Sequence, residues 1–317
     1  MKTTLKLRHR ATARTKGRNR ILAGSVALLA ALFLPAPEAG AVAYYWDVNG
    51  STAGFSTVTG AWNGTNSFWD RDSAGTAGPF VAAPISADDL NITAGTAGTI
   101  TISGTGTGSS LTISDNVAIT ITGGALALGG TGTSSGLFVT GADNAATTVS
   151  SAVTLNTGAV TIQNAGTGVL TLSGGVTGAQ NLILNNNGAT NSGITLATTA
   201  VNNTGTITNS GTGAGATLIS AAIGSNVTQI IENSATSQLN VAGLITPNAA
   251  LQFINNSTSG SSILNVTGGI SGASNIVLKN NSAIGANTAG VTTGGVTLNT
   301  ISNMARSRIP ARALALW

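Results

Sequence analysis

From Thr99 onward the chain alternates apolar and polar residues in short bursts. They read TITIS at Thr99, LTIS at Leu111, AITIT at Ala118, LFVT at Leu137, AVTL at Ala152 and AVTIQ at Ala159. LTLS at Leu170, LILN at Leu182, GITL at Gly193, GTITN at Gly205, TLIS at Thr217 and QIIEN at Gln229 continue the series. LNVA at Leu239, LQFIN at Leu251, ILNV at Ile263, IVLKN at Ile276 and GVTLN at Gly295 close it. Alternation over four or five residues, rich in β-branched side chains and punctuated by Gly or Asn, predicts strands. No window of a dozen residues carries a helical stripe with caps. The bursts recur about every eleven residues, too closely to house a crossover helix between parallel strands. An antiparallel sandwich and a coil of parallel strands both satisfy that spacing.

An internal repeat favours the coil. Leu170–Asn187 (LTLSGGVTGAQNLILNNN) returns as Leu264–Asn281 (LNVTGGISGASNIVLKNN), 94 residues later (264 − 170), with 9 of 18 positions identical. One such unit cannot bury its apolar face alone, so copies must stack. At two or three strands per turn the 94-residue unit makes about four turns. The asparagine clusters at strand ends suit left-handed turns and amide ladders between neighbouring turns.

The ends differ from the body. Eight of the 13 Lys and Arg lie within Met1–Arg20, ahead of the apolar run Ile21–Leu34 and the small-residue sites at Ala39–Ala43. That order predicts a secretory signal peptide over residues 1–43, with cleavage after Ala43 and no membrane-spanning segment left after cleavage. Residues 44–98 form an aromatic-rich segment with Tyr44, Tyr45, Trp46, Phe55, Trp62, Phe68, Trp69 and Phe80. It is expected to cap the stack, with polar ring edges facing water; a sugar-stacking platform is the alternative. Residues 99–303 are the repeats, and residues 304–317 an Arg-containing tail foreign to the pattern.

Charge and residue inventory narrow the function. Between Tyr44 and Asn303 only Arg71 and Lys279 are basic against eight acidic residues, a balance of −6 (2 − 8), which removes the basis for nucleic-acid binding. The chain has no cysteine, and its single histidine, His9, lies in the signal peptide. General acid–base work would fall to Asp47, Asp70, Asp72, Asp88, Asp89, Asp115, Asp143 and Glu232. Only Asp88 and Asp89 are adjacent, and neighbours on a strand point to opposite faces, so a turn role is expected for them. No catalytic, cofactor or metal residue is assigned, since the turns lack the regular Asp of calcium-binding glycine repeats. Thr99-Ile100-Thr101, Thr120-Ile121-Thr122 and Thr206-Ile207-Thr208 suggest a water-ordering surface. Their starts lie 21 and 86 residues apart (120 − 99, 206 − 120), so no Thr ladder recurring every turn is expected.

Trp46-Asp47, Gly60-Ala61-Trp62-Asn63, Phe68-Trp69 and Ala87-Asp88-Asp89-Leu90 resemble the N-terminal region of bacterial autotransporter-type passengers. Gly174–Gly178 and Gly268–Gly272 are similar to the autotransporter-associated β-strand repeat of that family. The resemblance implies an all-β, right-handed parallel β-helix, exported and displayed at the cell surface or secreted. The translocator barrel such proteins carry has no counterpart in the sequence. A structural or adhesive passenger acting by multivalent weak contacts on a glycan, matrix or cell surface is the expected function. Self-association at an uncapped C-terminal end is also expected. A β-helical carbohydrate-active enzyme, a glycan-binding module and a truncated fragment of a larger autotransporter remain the alternatives.

Overall fold

The computed structural model describes residues 41–303, apart from Ala94 and residues 260–261, 282–285, 289–290, 294–295 and 299–300. Residues 1–40 of the expected signal peptide and the tail at 304–317 therefore lie outside the described residues. Among the described residues every regular element is a strand, and no helix is long and apolar enough to cross a membrane.

The strands wind into a parallel β-solenoid of about eight turns. Its first sheet runs from Asp89–Ile92 through Ser110–Ile113, Gly136–Val139, Val160–Asn164 and Leu182–Asn186. It continues through Gly205–Asn209, Val227–Glu232 and Leu251–Asn255 to Ile276–Asn280. A second face stacks Ile119–Leu128, Thr147–Val149, Leu170–Leu172, Ile194–Leu196, Thr217–Ile219, Leu239–Val241 and Leu264–Val266. A third holds Ala152–Leu155 and Val176–Gly178, then thins to single parallel bridges joining Val176, Val201, Ile223, Ile245 and Ile270. Each turn of the chain visits the three faces in that order.

The repeat sets the register. Leu170 pairs with Ile194, Ile194 with Thr217, Thr217 with Leu239 and Leu239 with Leu264. The two copies of the unit thus sit four turns apart, as the repeat length predicts. On the second face the strands bury their first and third residues and turn the middle one outward. Each fully buried Leu, Ile or Val contributes about 1.5–3 kcal/mol, so stacking of these rungs is the main source of stability.

Buried asparagines lock the corners differently from the expected like-to-like amide pairing. Asn164 Nδ2 donates to the carbonyls of Gly168 and Gly193, both at 2.7 Å, while its Oδ1 accepts from Gly166 N–H at 3.1 Å. Asn186 Nδ2 reaches Thr190 and Ala216 carbonyls in the same way. These amides replace missing strand partners where the chain turns. They do not supply left-handed turn geometry either. Apart from glycines, the positive-φ residues among those described are Ser56, Ser192 and Thr198. Amide-to-amide bonds occur at the surface, from Asn265 to Asn240 and from Asn281 to Asn256.

The aromatic segment is built into the stack. Ala43–Trp46 pairs in parallel with Asp89–Ile92 and antiparallel with Trp69–Asp70, which pairs antiparallel with Phe80–Val81. Gly60–Trp62 pairs in parallel with the strand Gly98–Gly108. The indoles point inward: Trp46 meets Trp69 edge-on at 5.1 Å and Trp62 meets Trp69 at 4.9 Å. Trp46 Nε1 donates to the buried Val58 carbonyl at 2.9 Å, so its polar edge does not face water as expected. Gly106 makes room for this packing, since a Cβ there would sit 2.7 Å from the Trp62 ring.

Candidate functional site

Among the described residues the acids meet at most in pairs. Asp88 is buried, and its Oδ2 accepts the Ile85 N–H at 2.8 Å, closing the turn into the first sheet. Asp89 accepts from Ser110 Oγ at 2.7 Å and from Thr133 N–H at 3.0 Å. Burial would raise the Asp89 carboxyl, but the Thr133 and Ser110 hydrogen bonds outweigh it and hold the group below its usual range. Asp72 caps its own loop through Ala74 and Thr76. Glu232 is enclosed at a corner of the first sheet, where burial pushes its carboxyl up to about 8. Among the described residues no three of His, Cys, Asp and Glu gather at one point. Trp46, Trp62 and Trp69 of the aromatic segment are buried as well, so their faces offer no stacking platform for a sugar ring.

What the coil does organise is its outer surface. On the second face the outward residue of each strand stacks on its counterpart one turn away. Thr99 pairs with Thr120, Thr120 with Thr148, Thr148 with Thr171, and Thr171 with Thr195. The column continues through Leu218 to Asn240 and Asn265. A threonine ladder therefore spans five successive turns, which corrects the reading from motif spacing. Turns of unequal length hid it, because they set its members at irregular intervals along the chain. Thr206, which entered that reading, belongs to the first sheet instead.

Two residues further along, Thr101 stacks on Thr122. Ser150, Ser173, Ser220 and Thr267 take the same place beside later strands, their N–H groups held by Ile121, Val149, Leu196 and Val241 carbonyls. The second column is broken by Ala197 and Ala242, whose N–H groups are held by Leu172 and Ile219 carbonyls, so the threonine ladder is the one that recurs at the ~4.8 Å spacing of neighbouring strands over five turns. Each hydroxyl donates one hydrogen bond and accepts two, and β-branching restricts how the threonines turn. The first sheet is less uniform outside, where Phe138, Ile183 and Ile231 interrupt polar residues.

A solenoid of this kind spreads its hydroxyl side chains along a surface. Over 143 residues, 44% of the chain, it is 34% identical to the autotransporter adhesin BmaC of Brucella suis biovar 1 (strain 1330). The chain spans 4% of the length of that adhesin. The similarity and the solenoid together fit an autotransporter passenger-type protein. No protein-family model matches the chain, and no solved structure matches it.

Proposed function

We propose that the chain is the adhesive or structural passenger of an exported surface protein. It acts without catalysis, by many weak contacts along one face. The observation that carries this reading is the threonine column Thr99, Thr120, Thr148, Thr171 and Thr195 with its flanking serines and threonines. A hydroxyl-rich polymer such as an extracellular glycan can meet such a column at several turns at once. Single contacts of that kind are weak, and their combination gains from effective concentration. The similarity to an autotransporter adhesin supports the same conclusion. The absence of His and Cys beyond His9 and the scatter of the carboxylates support a non-catalytic role. Export through an N-terminal signal and self-association at the C-terminal end of the coil belong to this reading.

The test replaces Thr120, Thr148 and Thr171 together by Val, which keeps the β-branched shape and removes the hydroxyls. Binding of the full chain to immobilised glycans and to extracellular matrix is expected to fall at least tenfold, with the β circular-dichroism spectrum unchanged. Undiminished binding by the triple variant would remove the column from the mechanism. The same column also favours a second reading, ordering of surface water. Thermal hysteresis of freezing shown by the parent and lost by the variant would select it over adhesion.

A further inference from the structure

Asp115 and Asp143 are the same residue of successive turns. Each opens an Asp-Asn-x-Ala corner, Asp115–Ala118 and Asp143–Ala146, leading into a strand of the second face. Ile119 pairs with Thr147, so the residues four positions earlier, Asp115 and Asp143, lie one above the other. The Asn144 N–H ties the two corners by donating to Asn116 Oδ1 at 2.9 Å.

Both aspartates are buried, at 9% and 0% exposure. Asp143 Oδ1 accepts the Ala145 N–H at 2.9 Å. The Oδ2 atoms of Asp115 and Asp143 are both buried and accept no hydrogen bond. The hydroxyls of Thr140 and Thr147, on either side of Asp143, are buried and unpartnered too. Thr147 lies near enough to favour the ionised form of Asp143 without closing a hydrogen bond. Burial first, and the neighbouring Asp115 charge in addition, push the Asp143 carboxyl up to about 6. No Lys, Arg or His occurs between Asp72 and Leu278 to neutralise the pair. The corner thus supplies no countercharge, and beyond the Ala145 N–H its unpartnered donors are the Thr140 and Thr147 hydroxyls.

The rung spacing fits one class of partner. Strands stack ~4.8 Å apart, about twice the 2.3–2.6 Å of a calcium–oxygen bond. A cation between two turns can therefore be reached by one carboxylate oxygen from above and one from below. We propose that this corner binds a divalent hard cation of the calcium class. Asp115 and Asp143 are its carboxylate ligands, and the Thr140 and Thr147 hydroxyls are among its neutral oxygens. With two carboxylates only, the affinity belongs to the weak range of extracellular modules, Kd about 10⁻⁴–10⁻³ M. The ion removes the repulsion between the stacked charges and clamps one turn to the next. A full turn of chain separates the two aspartates, which kept the pair out of sight in the sequence.

The test is thermal unfolding of the full chain at pH 7.5 in EDTA and in rising calcium chloride. A saturable rise in Tm of about 2–4 °C is expected. Asp115→Asn and Asp143→Asn keep the shape of the side chains and remove the repulsion. Each is expected to lose the calcium response and to unfold in EDTA no earlier than the parent. Asp89→Asn, whose parent carboxylate is already filled by Ser110 and Thr133, keeps the response. Coincident curves in calcium and EDTA overturn the proposal, as does a full response in either corner variant. A pair that instead shares a proton gives stabilisation below about pH 6 that ignores calcium, which overturns it equally.

Discussion

Asn209 donates its side-chain amide to both carboxylate oxygens of Glu232, at 3.1 and 3.0 Å, where both residues are fully buried. They are partners in the first sheet, one turn apart. The carboxylate also accepts the N–H groups of Ser234 and Leu239, each at 2.7 Å. Burial nonetheless outweighs these donors and favours the neutral acid.

Stability should consequently fall as pH rises. The Glu232 carboxyl moves from 4.5 in the unfolded chain to about 8 in the fold, so the folded state holds the proton more tightly. Its contribution is fully present below about pH 4.5, declines as the unfolded chain ionises, and is lost above about 8. Asp47, Asp115 and Asp143 are raised mainly by burial and act in the same direction at lower pH. Asp72 and Asp89 are lowered, and their stabilisation is lost on acidification below the ordinary aspartate range. Urea unfolding in EDTA from pH 4.5 to 8 should show a loss on the order of a few kcal/mol. A midpoint that climbs with pH over this window would contradict the assignment.

Asn164→Ala should be among the more damaging single changes outside the apolar core. It leaves the Gly168 and Gly193 carbonyls and the Gly166 N–H without their side-chain partner at a buried corner. A loss of about 2–4 kcal/mol is expected, at roughly 1–3 kcal/mol for each polar group left unpaired and with partial relaxation. The urea midpoint gives the value. No more than the small change of an ordinary surface substitution would mean that water replaces the amide.

Trp46 and Trp69 should respond unequally to Phe. Trp46 loses its hydrogen bond to Val58, whereas the Trp69 N–H is buried with no partner to lose. Both changes remove ring volume, so the difference sums the lost Trp46 hydrogen bond and the relief of the unpaired Trp69 N–H. Trp46→Phe is expected to cost about 1 kcal/mol more than Trp69→Phe. Equal midpoints for the two variants would show that neither the Val58 contact nor the unpaired Trp69 N–H carries net energy.

Gly106→Ala and Gly158→Ala separate crowding from backbone strain. The first places a methyl 2.7 Å from the Trp62 ring, which Trp69 holds from another side. A loss of about 1–3 kcal/mol and a changed near-ultraviolet dichroism of the indoles are expected. The second has φ +71° with open space around it, so only the left-handed backbone is penalised, by about 1–2 kcal/mol. Unaltered indole signals in Gly106→Ala would show that the cap yields without disturbance.

The coil was legible because two of its faces are built from strands long enough to alternate. Leu182–Asn186 and Leu170–Leu172 announce themselves by the side chains they bury. The third face was legible only at its start, in Ala152–Leu155; beyond it Val201, Ile223 and Ile245 each contribute a single paired residue, and a lone aliphatic has no period. The threonine column and the Asp115–Asp143 pair escaped for another reason. Corners of unequal length separate their members, so only the pairing of the strands reveals which residues share a column. The inward-pointing indoles were misjudged because composition reports large rings without saying which edge finds a carbonyl, as Trp46 finds Val58.

Within the coil each strand pairs with one laid down a single turn before it, as Leu111 does with Leu90 and Thr147 with Ile119. No rung there awaits a distant partner. The coil can thus lengthen like a crystal onto its own leading edge, rung by rung. Each closed rung is a finished template for the next, so order can spread along the chain without waiting for its far end.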